Sequence, residues 1–442
     1  MRKPLIVLAL FVCLLSGATA YATAGGEATD TVVNVLIALV VILVAAKIGG
    51  DATTRLRQPA VLGELVAGVI LGNLVLLGLG WFEPIKHDSV IRALAELGVI
   101  ILLFQVGLES NLADMMSVGL SSLLVATAGV IVPFFLGWGV GIWFYPQHSI
   151  YMHVFLGATL TATSVGITAR VLRDLGRLAT NEARIILGAA VIDDVMGLLI
   201  LAIVAGIIRA ADTGQAMSSG AILWLVAKAV LFLGGAVVLG RVLYPILFRA
   251  AGYLRGHGML LVAALASCFV SAVLAAKVGL APIVGAFAAG LVLDEVQYRD
   301  LPALASHRLE ELLEPIATVL VPVFFVLMGM HVDLATFGQG AVLGFAAILT
   351  LAAILGKQAS AFGVVRAQGK VNRWIVGLGM IPRGEVGLIF ASIGLGLTVH
   401  GERVVFPEVY SAVVIMIIVT TLVTPPALTW AFRRPSATAP PA

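Results

Sequence analysis

Two adjacent carboxylates, Asp193 and Asp194, lie near the centre of an otherwise apolar run from Ile185 to Ile208. Placing such a pair in the middle of a hydrocarbon layer costs roughly 5–7 kcal/mol on insertion scales, so residues of this kind normally face a polar cavity and mark a route for ions or protons. The competing account is a structural acid pair held by hydrogen bonds. Neighbouring helix residues point about 100° apart, so the two carboxylates cannot share one job equally. One takes the ion and the other takes a partner. Lys357 is the natural partner, about seventeen residues into an apolar segment that begins near Ala341. That is deep for escape to the interface, although snorkelling of its ammonium is the alternative.

A second constellation is Pro382-Arg383-Gly384-Glu385, about ten residues into a segment that begins near Trp374. Proline removes a helical hydrogen bond and glycine tolerates the resulting distortion, which predicts a broken helix. Thr161, Ala162, Thr163 and Ser164 stand at comparable depth in an earlier segment; they read either as packing hydroxyls or as a second break. Half-helix ends and freed carbonyls can coordinate a dehydrated cation, with Arg383 and Glu385 offsetting the exposed backbone dipoles. Glu64, Glu96, Lys228, Arg92 and Arg241 fall near segment ends and read as snorkelling or local pairs. The seven histidines show no metal-like spacing; His257 and His307 are pH-sensor candidates only.

The elements that hold these groups are membrane helices. Of 442 residues 60% are apolar and 12% charged, against about 25% charged in an average soluble domain. With a mean hydropathy of +1.09, a soluble globule is excluded. The net charge of +3 and the absence of basic runs interleaved with aromatics remove nucleic-acid binding. Cys13 and Cys268 form neither a disulfide framework nor a metal motif. Residues 1–24 have the shape of a cleavable secretory signal: Arg2 and Lys3, an apolar core, then small residues. Retention as an extra helix is the alternative, though the core is shorter than a span usually requires.

Thirteen further apolar segments begin near Val32, Val61, Val90, Gly119, Met152, Ile185, Ala221, Met259, Pro282, Pro315, Ala341, Trp374 and Val409. With the mature N-terminus outside, the cytoplasmic connections hold sixteen Lys and Arg, among them Arg170, Arg173, Arg177 and Arg184. The opposite connections hold five: Lys86, Arg92, Arg209, Lys277 and Arg403. The positive-inside rule then sets N-out, C-in in a cell membrane. The short connections and the short cytoplasmic tail, residues 432–442, leave no expected nucleotide-binding or sensor domain, so function is built within the bilayer.

An offset of 222 residues aligns Gly63, Ala67, Gly68 and Leu71 with Gly285, Ala289, Gly290 and Leu293. It also places Gly107, Leu112 and Ala113 on Gly329, Leu334 and Ala335, and Gly157 on Gly379. The copies stand seven segments apart, an odd number, so they cross in opposite senses, the arrangement of secondary transporters that bind at the repeat interface. The expected plan is a first inverted repeat over residues 32–208, a linking helix over 221–248 and a second repeat over 259–431. The fold class is an all-α polytopic membrane protein with thirteen spans and two broken, crossing helices.

The strings LRQPAVLGELVAGVILG, ELGVIILLFQVGLE, ATLTATSVGITARVLRDLG, GAAVIDDVMGLLIL, ILGKQASAF and GMIPRGEVGLIF, in this order, closely resemble the monovalent cation:proton antiporter-2 family, in particular its NapA-type sodium/proton antiporters. The resemblance runs from about Val32 to Trp430. It implies a core of segments 3–6 and 10–13 moving against a dimerising scaffold of segments 1, 2 and 7–9. It further implies that Asp194 is the main cation and proton carboxylate, that Asp193 pairs with Lys357, and that Thr163 and Ser164 lie at the segment 5 break. The acid pair plus lysine is similar to the electrogenic members.

The expected function is proton exchange for Na⁺, possible also for Li⁺ or K⁺, by a homodimer in lipid, with no cofactor, no resident metal and no enzymatic activity. Two other readings are a sodium-coupled organic-anion symporter of the same architecture and a membrane-embedded Mg²⁺-dependent enzyme. The latter calls for a second acidic cluster, which the sequence lacks.

Overall fold

The structure, a computed structural model, describes residues 27–56, 58–109, 119–177, 180–212, 219–253, 258–293, 309–335, 340–365 and 371–433. The expected signal segment, His257, His307 and nearly all of the expected tail lie outside the described residues. Among the described residues the architecture is helical, apart from one two-stranded hairpin. In chain order the principal helices are α1 (Glu27–Arg55), α2 (Ala60–Gly72), α3 (Ser89–Glu109), α4 (Leu120–Phe144), α5 (Ile150–Thr159), α6 (Val165–Asp174), α7 (Asn181–Asp212) and α8 (Ser219–Tyr253). They continue with α9 (Met259–Val278), α10 (Pro282–Val292), α11 (Leu309–Met330), α12 (Gly340–Gln358), α13 (Arg373–Gly379), α14 (Gly384–Leu395) and α15 (Pro407–Arg433).

Each of the thirteen apolar segments contains helix, yet a count by length and hydropathy differs from the expected thirteen spans. Eight described helices are long and apolar enough to cross a membrane, and α8, bent by 44° between Val230–Gly240 and Val242–Phe248, makes a ninth if its halves form one span. The reason for the lower count is physical. Segments 2 and 9 are the short helices α2 and α10, of 13 and 11 residues. Segments 5 and 12 are each divided into two short helices, α5 with α6 and α13 with α14. None of these reaches the roughly 20 residues that cover 30 Å of hydrocarbon.

The chain falls into two compact units: Met1–Gly98 with Thr318–His331, and Val99–Ala317 with Val332–Ala442. Segments 1 and 2 thus group with parts of segments 3 and 10. Small residues explain the grouping. In the first unit α2 meets α11 with Gly68 against Gly329, and a Cβ on either would overlap backbone of the other helix. In the second unit α3 meets α10 in the same way, Gly107 against Gly290. Such contacts let backbones approach where lipid supplies no hydrophobic drive for helix association.

Within the second unit, α7 carries the paired aspartates. Its first turns, at Ile185, Ile186, Ala189 and Ala190, are buried against Val125 and Ala126 of α4, Val376 and Met380 around the end of α13, and Leu428 of α15. Polar latches fasten both ends of α7. Near its start the Glu182 carboxylate accepts the Asn372 N–H at 2.8 Å, and Asn372 in turn caps α13 by accepting from Trp374. At its end Asp212 accepts from the Thr398 hydroxyl at 3.1 Å. Thr398 belongs to the hairpin β1 (Thr398–Val399) and β2 (Glu402–Arg403), which follows α14. His400 and Gly401 turn that hairpin with φ of 54° and 81°, the positive values a two-residue connection favours.

The close crossings make a direct prediction. Gly290→Val forces a side chain into the Phe104 carbonyl and should destabilise the fold by at least about 1–3 kcal/mol. Gly344→Ala, which meets nothing within 4 Å, should leave stability unchanged. Thermal unfolding of the detergent-solubilised protein, read by intrinsic fluorescence, distinguishes the two.

Candidate functional site

The two helix interruptions come together. α5 ends at Thr159 and α6 resumes at Val165; α13 ends at Gly379 and α14 begins at Gly384. Across them the Ser164 N–H donates to the Pro382 carbonyl at 2.8 Å. The Thr163 hydroxyl reaches the Met380 carbonyl at 3.5 Å, and the Thr168 hydroxyl donates to the Gly379 carbonyl at 2.6 Å. These bonds satisfy backbone groups that broken helices leave without intrahelical partners. Gly384 has φ of +44°, and a Cβ there would lie 2.5 Å from both Cβ and Oγ of Ser164. Only glycine serves at that point, both for its left-handed backbone and for the space it leaves.

Beside the crossing lie the charges. Asp193 is fully buried, Asp194 is 6% exposed, and Lys357 and Arg383 are fully buried. Lys357 stands in the last turn of α12. Its Nζ donates to both carboxylate oxygens of Asp193, at 2.9 and 3.1 Å. The Thr163 hydroxyl and the Arg383 guanidinium are near enough to act on the Asp193 charge. Arg383 donates from Nη1 to the Ala162 carbonyl and from Nη2, at 3.3 Å, to the Ala353 carbonyl of α12. It thus braces the first break against the helix that carries the lysine. Asp194 exerts its own electrostatic pull on Lys357. It is the less enclosed of the two acids.

Of the residues singled out from sequence, Asp193, Lys357, Thr163 and Arg383 share one electrostatic cluster, Asp194 adjoins it, and Ser164 pins the two breaks together. The Glu385 side chain lies outside the described residues. Sequence reasoning missed Thr168, one helical turn after Ser164, whose hydroxyl closes the end of α13. It also missed Ser360, whose hydroxyl donates to the Lys357 carbonyl at 2.6 Å and closes the end of α12. A buried hydroxyl placed opposite a helix end is the signal for both, and it is visible only once the helix ends are known. Among the described residues no group of three or more His, Cys, Asp and Glu side chains gathers. The oxygens gathered near the two breaks are those of carboxylates, hydroxyls and backbone carbonyls.

Residues 35–434 match the family model described as sodium/hydrogen exchanger, transmembrane. The chain belongs to this family. The exchanger is 38% identical to the high-affinity Na⁺/H⁺ antiporter NhaS3 of a Synechocystis species, over 94% of each chain. It is 36% identical to the Na⁺/H⁺-K⁺ antiporter GerN of Bacillus cereus, over 89% of this chain and 95% of that one. Its structure superimposes on the sodium proton antiporter MjNhaP1 of Methanocaldococcus jannaschii with a TM-score of 0.67, covering 90% of the exchanger and 97% of that chain. At 15% identity this last likeness is one of fold.

The buried ion pair predicts a stability cycle. Lys357→Met leaves Asp193 without its counter-charge and should cost roughly 3–5 kcal/mol. Adding Asp193→Asn removes the orphan charge and should recover most of that loss. Chemical or thermal unfolding of the single and double variants in detergent measures both steps.

Proposed function

We propose that this exchanger is a secondary transporter that moves protons against Na⁺ across the membrane, with both ions competing for Asp194. The observation that carries the reading is the buried Lys357–Asp193 pair set beside the more accessible Asp194 at two facing helix breaks. The chain is a transporter and not an enzyme.

The chemistry follows from competition. Burial favours the neutral form of a carboxylate, and a nearby cation favours its charged form. Proton and metal ion therefore exclude one another at Asp194. The Thr163 hydroxyl and the carbonyls freed at the breaks supply neutral oxygens to a dehydrated Na⁺, while Arg383 holds the interrupted backbone in place. When Na⁺ enters, it competes with Lys357 for the acid pair. Lys357 then leaves Asp193 and gives up a proton, so that more than one proton exchanges per cation and the cycle moves net charge. Alternating access carries the paired breaks between two openings. K⁺ and Li⁺ are further candidate substrates.

The finer architecture belongs to the same proposal. Thirteen spans with the mature N-terminus outside, the C-terminus in the cytoplasm and a cleaved signal fit the excess of sixteen over five basic residues in the assigned connections. Inverted repeats are supported by the glycine crossings. The 222-residue offset that carries Gly68 to Gly290 also carries Gly107 to Gly329, so each crossing maps onto the other. The same offset takes the close approach of Gly63 to Gly49 onto that of Gly285 to Ser271. A homodimer in the cell membrane completes the reading.

Asp194→Asn should insert and fold yet lose cation-dependent dissipation of a pH gradient in everted vesicles; full activity would remove the assignment. In the unaltered protein, Na⁺ should bind more weakly as pH falls, because protons occupy the same oxygens. Lys357→Gln should reduce or abolish the current recorded from reconstituted protein, and an undiminished current would disprove its coupling role.

A further inference from the structure

The cycle proposed above requires Lys357 to leave Asp193, and this inference rests on that reading. A lysine with no exposed surface that loses its acceptor is left with unsatisfied N–H donors, and a buried donor without a partner is more costly than the bond it gave up was worth. Something within reach must accept them. α4 supplies it. A Cβ on Gly129 would lie 3.6 Å from Lys357 Nζ, 3.7 Å from its Cδ and 3.4 Å from Ser360 Cβ, so the glycine leaves its backbone bare beside the ammonium. Four residues later Pro133 lies inside α4. Proline has no N–H, so the Gly129 carbonyl lacks the donor that a continuous helix would give it. Pro133 also fixes the register: a Cβ on Gly356, the residue before Lys357, would meet its Cα at 2.9 Å and its Cγ at 3.0 Å.

We propose that the Gly129 carbonyl is the second acceptor of Lys357. In the structure the ammonium bonds Asp193; when Na⁺ takes the acid pair, the lysine turns to Gly129. The proton balance is simple. Loss of one proton from the ammonium, to the water on the side from which Na⁺ arrives, leaves an amine with two N–H bonds, one of which donates to the same carbonyl. Pro133 is then a positioning residue, acting through the backbone oxygen that it keeps free.

Pro133→Val tests this, because it restores an N–H that occupies the Gly129 carbonyl while keeping a branched side chain against Gly356. Sodium binding to the purified protein at fixed pH, followed by calorimetry, should weaken roughly five- to tenfold, the worth of one buried hydrogen bond. In an Asp193→Asn/Lys357→Met background no ammonium needs a new acceptor, and Pro133→Val should have no effect there. Unchanged sodium affinity in the single variant, or a loss that persists in that background, overturns the proposal. Should Pro133→Val not fold, Pro133→Ala carries the same test. Asp194→Asn separates the two layers. If it binds sodium as the unaltered protein does, the exchange reading fails; if it abolishes binding while Pro133→Val leaves binding intact, the role of Gly129 alone fails.

Discussion

An ammonium and a carboxylate, both stripped of water, are held together at the centre of this protein, and the other features of the site are arranged around that contact. Removing two ions from water is so unfavourable that their mutual attraction at best roughly repays it. The Lys357–Asp193 pair is therefore close to balance, and the proposed cycle uses Lys357 as the group to be displaced. On the proposed reading, a cation at Asp194 acts on that pair as a third charge. The same pair in a fully apolar core, with no approach for a cation, would be only a burden.

Holding such a pair near balance demands rigid surroundings. The two breaks provide polar backbone at mid-helix, but interrupted helices are floppy unless their ends are satisfied. Here Ser164 and Pro382, Thr168 and Gly379, and Arg383 with the Ala162 and Ala353 carbonyls knit the ends to one another. Gly384 allows that knit because no side chain stands between the crossing strands of backbone. The site is thus built as much from main chain as from side chain, which matches the preference of an alkali cation for several neutral oxygens around one carboxylate.

Much of this was legible in the sequence, and the physical reasons differ by element. Asp193, Asp194 and Lys357 declared themselves because ionised groups in apolar runs are costly and need a cause. Pro382 and Gly384 announced a break through backbone chemistry alone. The partner break at Thr161–Ser164 was weaker, since hydroxyls are ordinary packing groups, and only its relation to segment 12 gave it weight. Hydropathy alone does not count crossings: it finds thirteen apolar segments, of which the short ones and the two interrupted ones fall below the length of a single crossing helix. Thr168, Ser360 and the latches at Glu182 and Asp212 left no sequence signal, because each depends on which helix end lies opposite.

The latches on the aspartate-bearing helix have one more consequence. At about 1.5 Å per residue, the 32 residues of α7 make a helix longer than the roughly 30 Å hydrocarbon thickness of a bilayer, with a latch at each extremity. The aspartates are thus carried on a helix whose fastenings lie far from them along its axis, Glu182 eleven residues before Asp193 and Asp212 eighteen after Asp194. A change at either fastening therefore acts on the acid pair along the helix axis and not by direct contact.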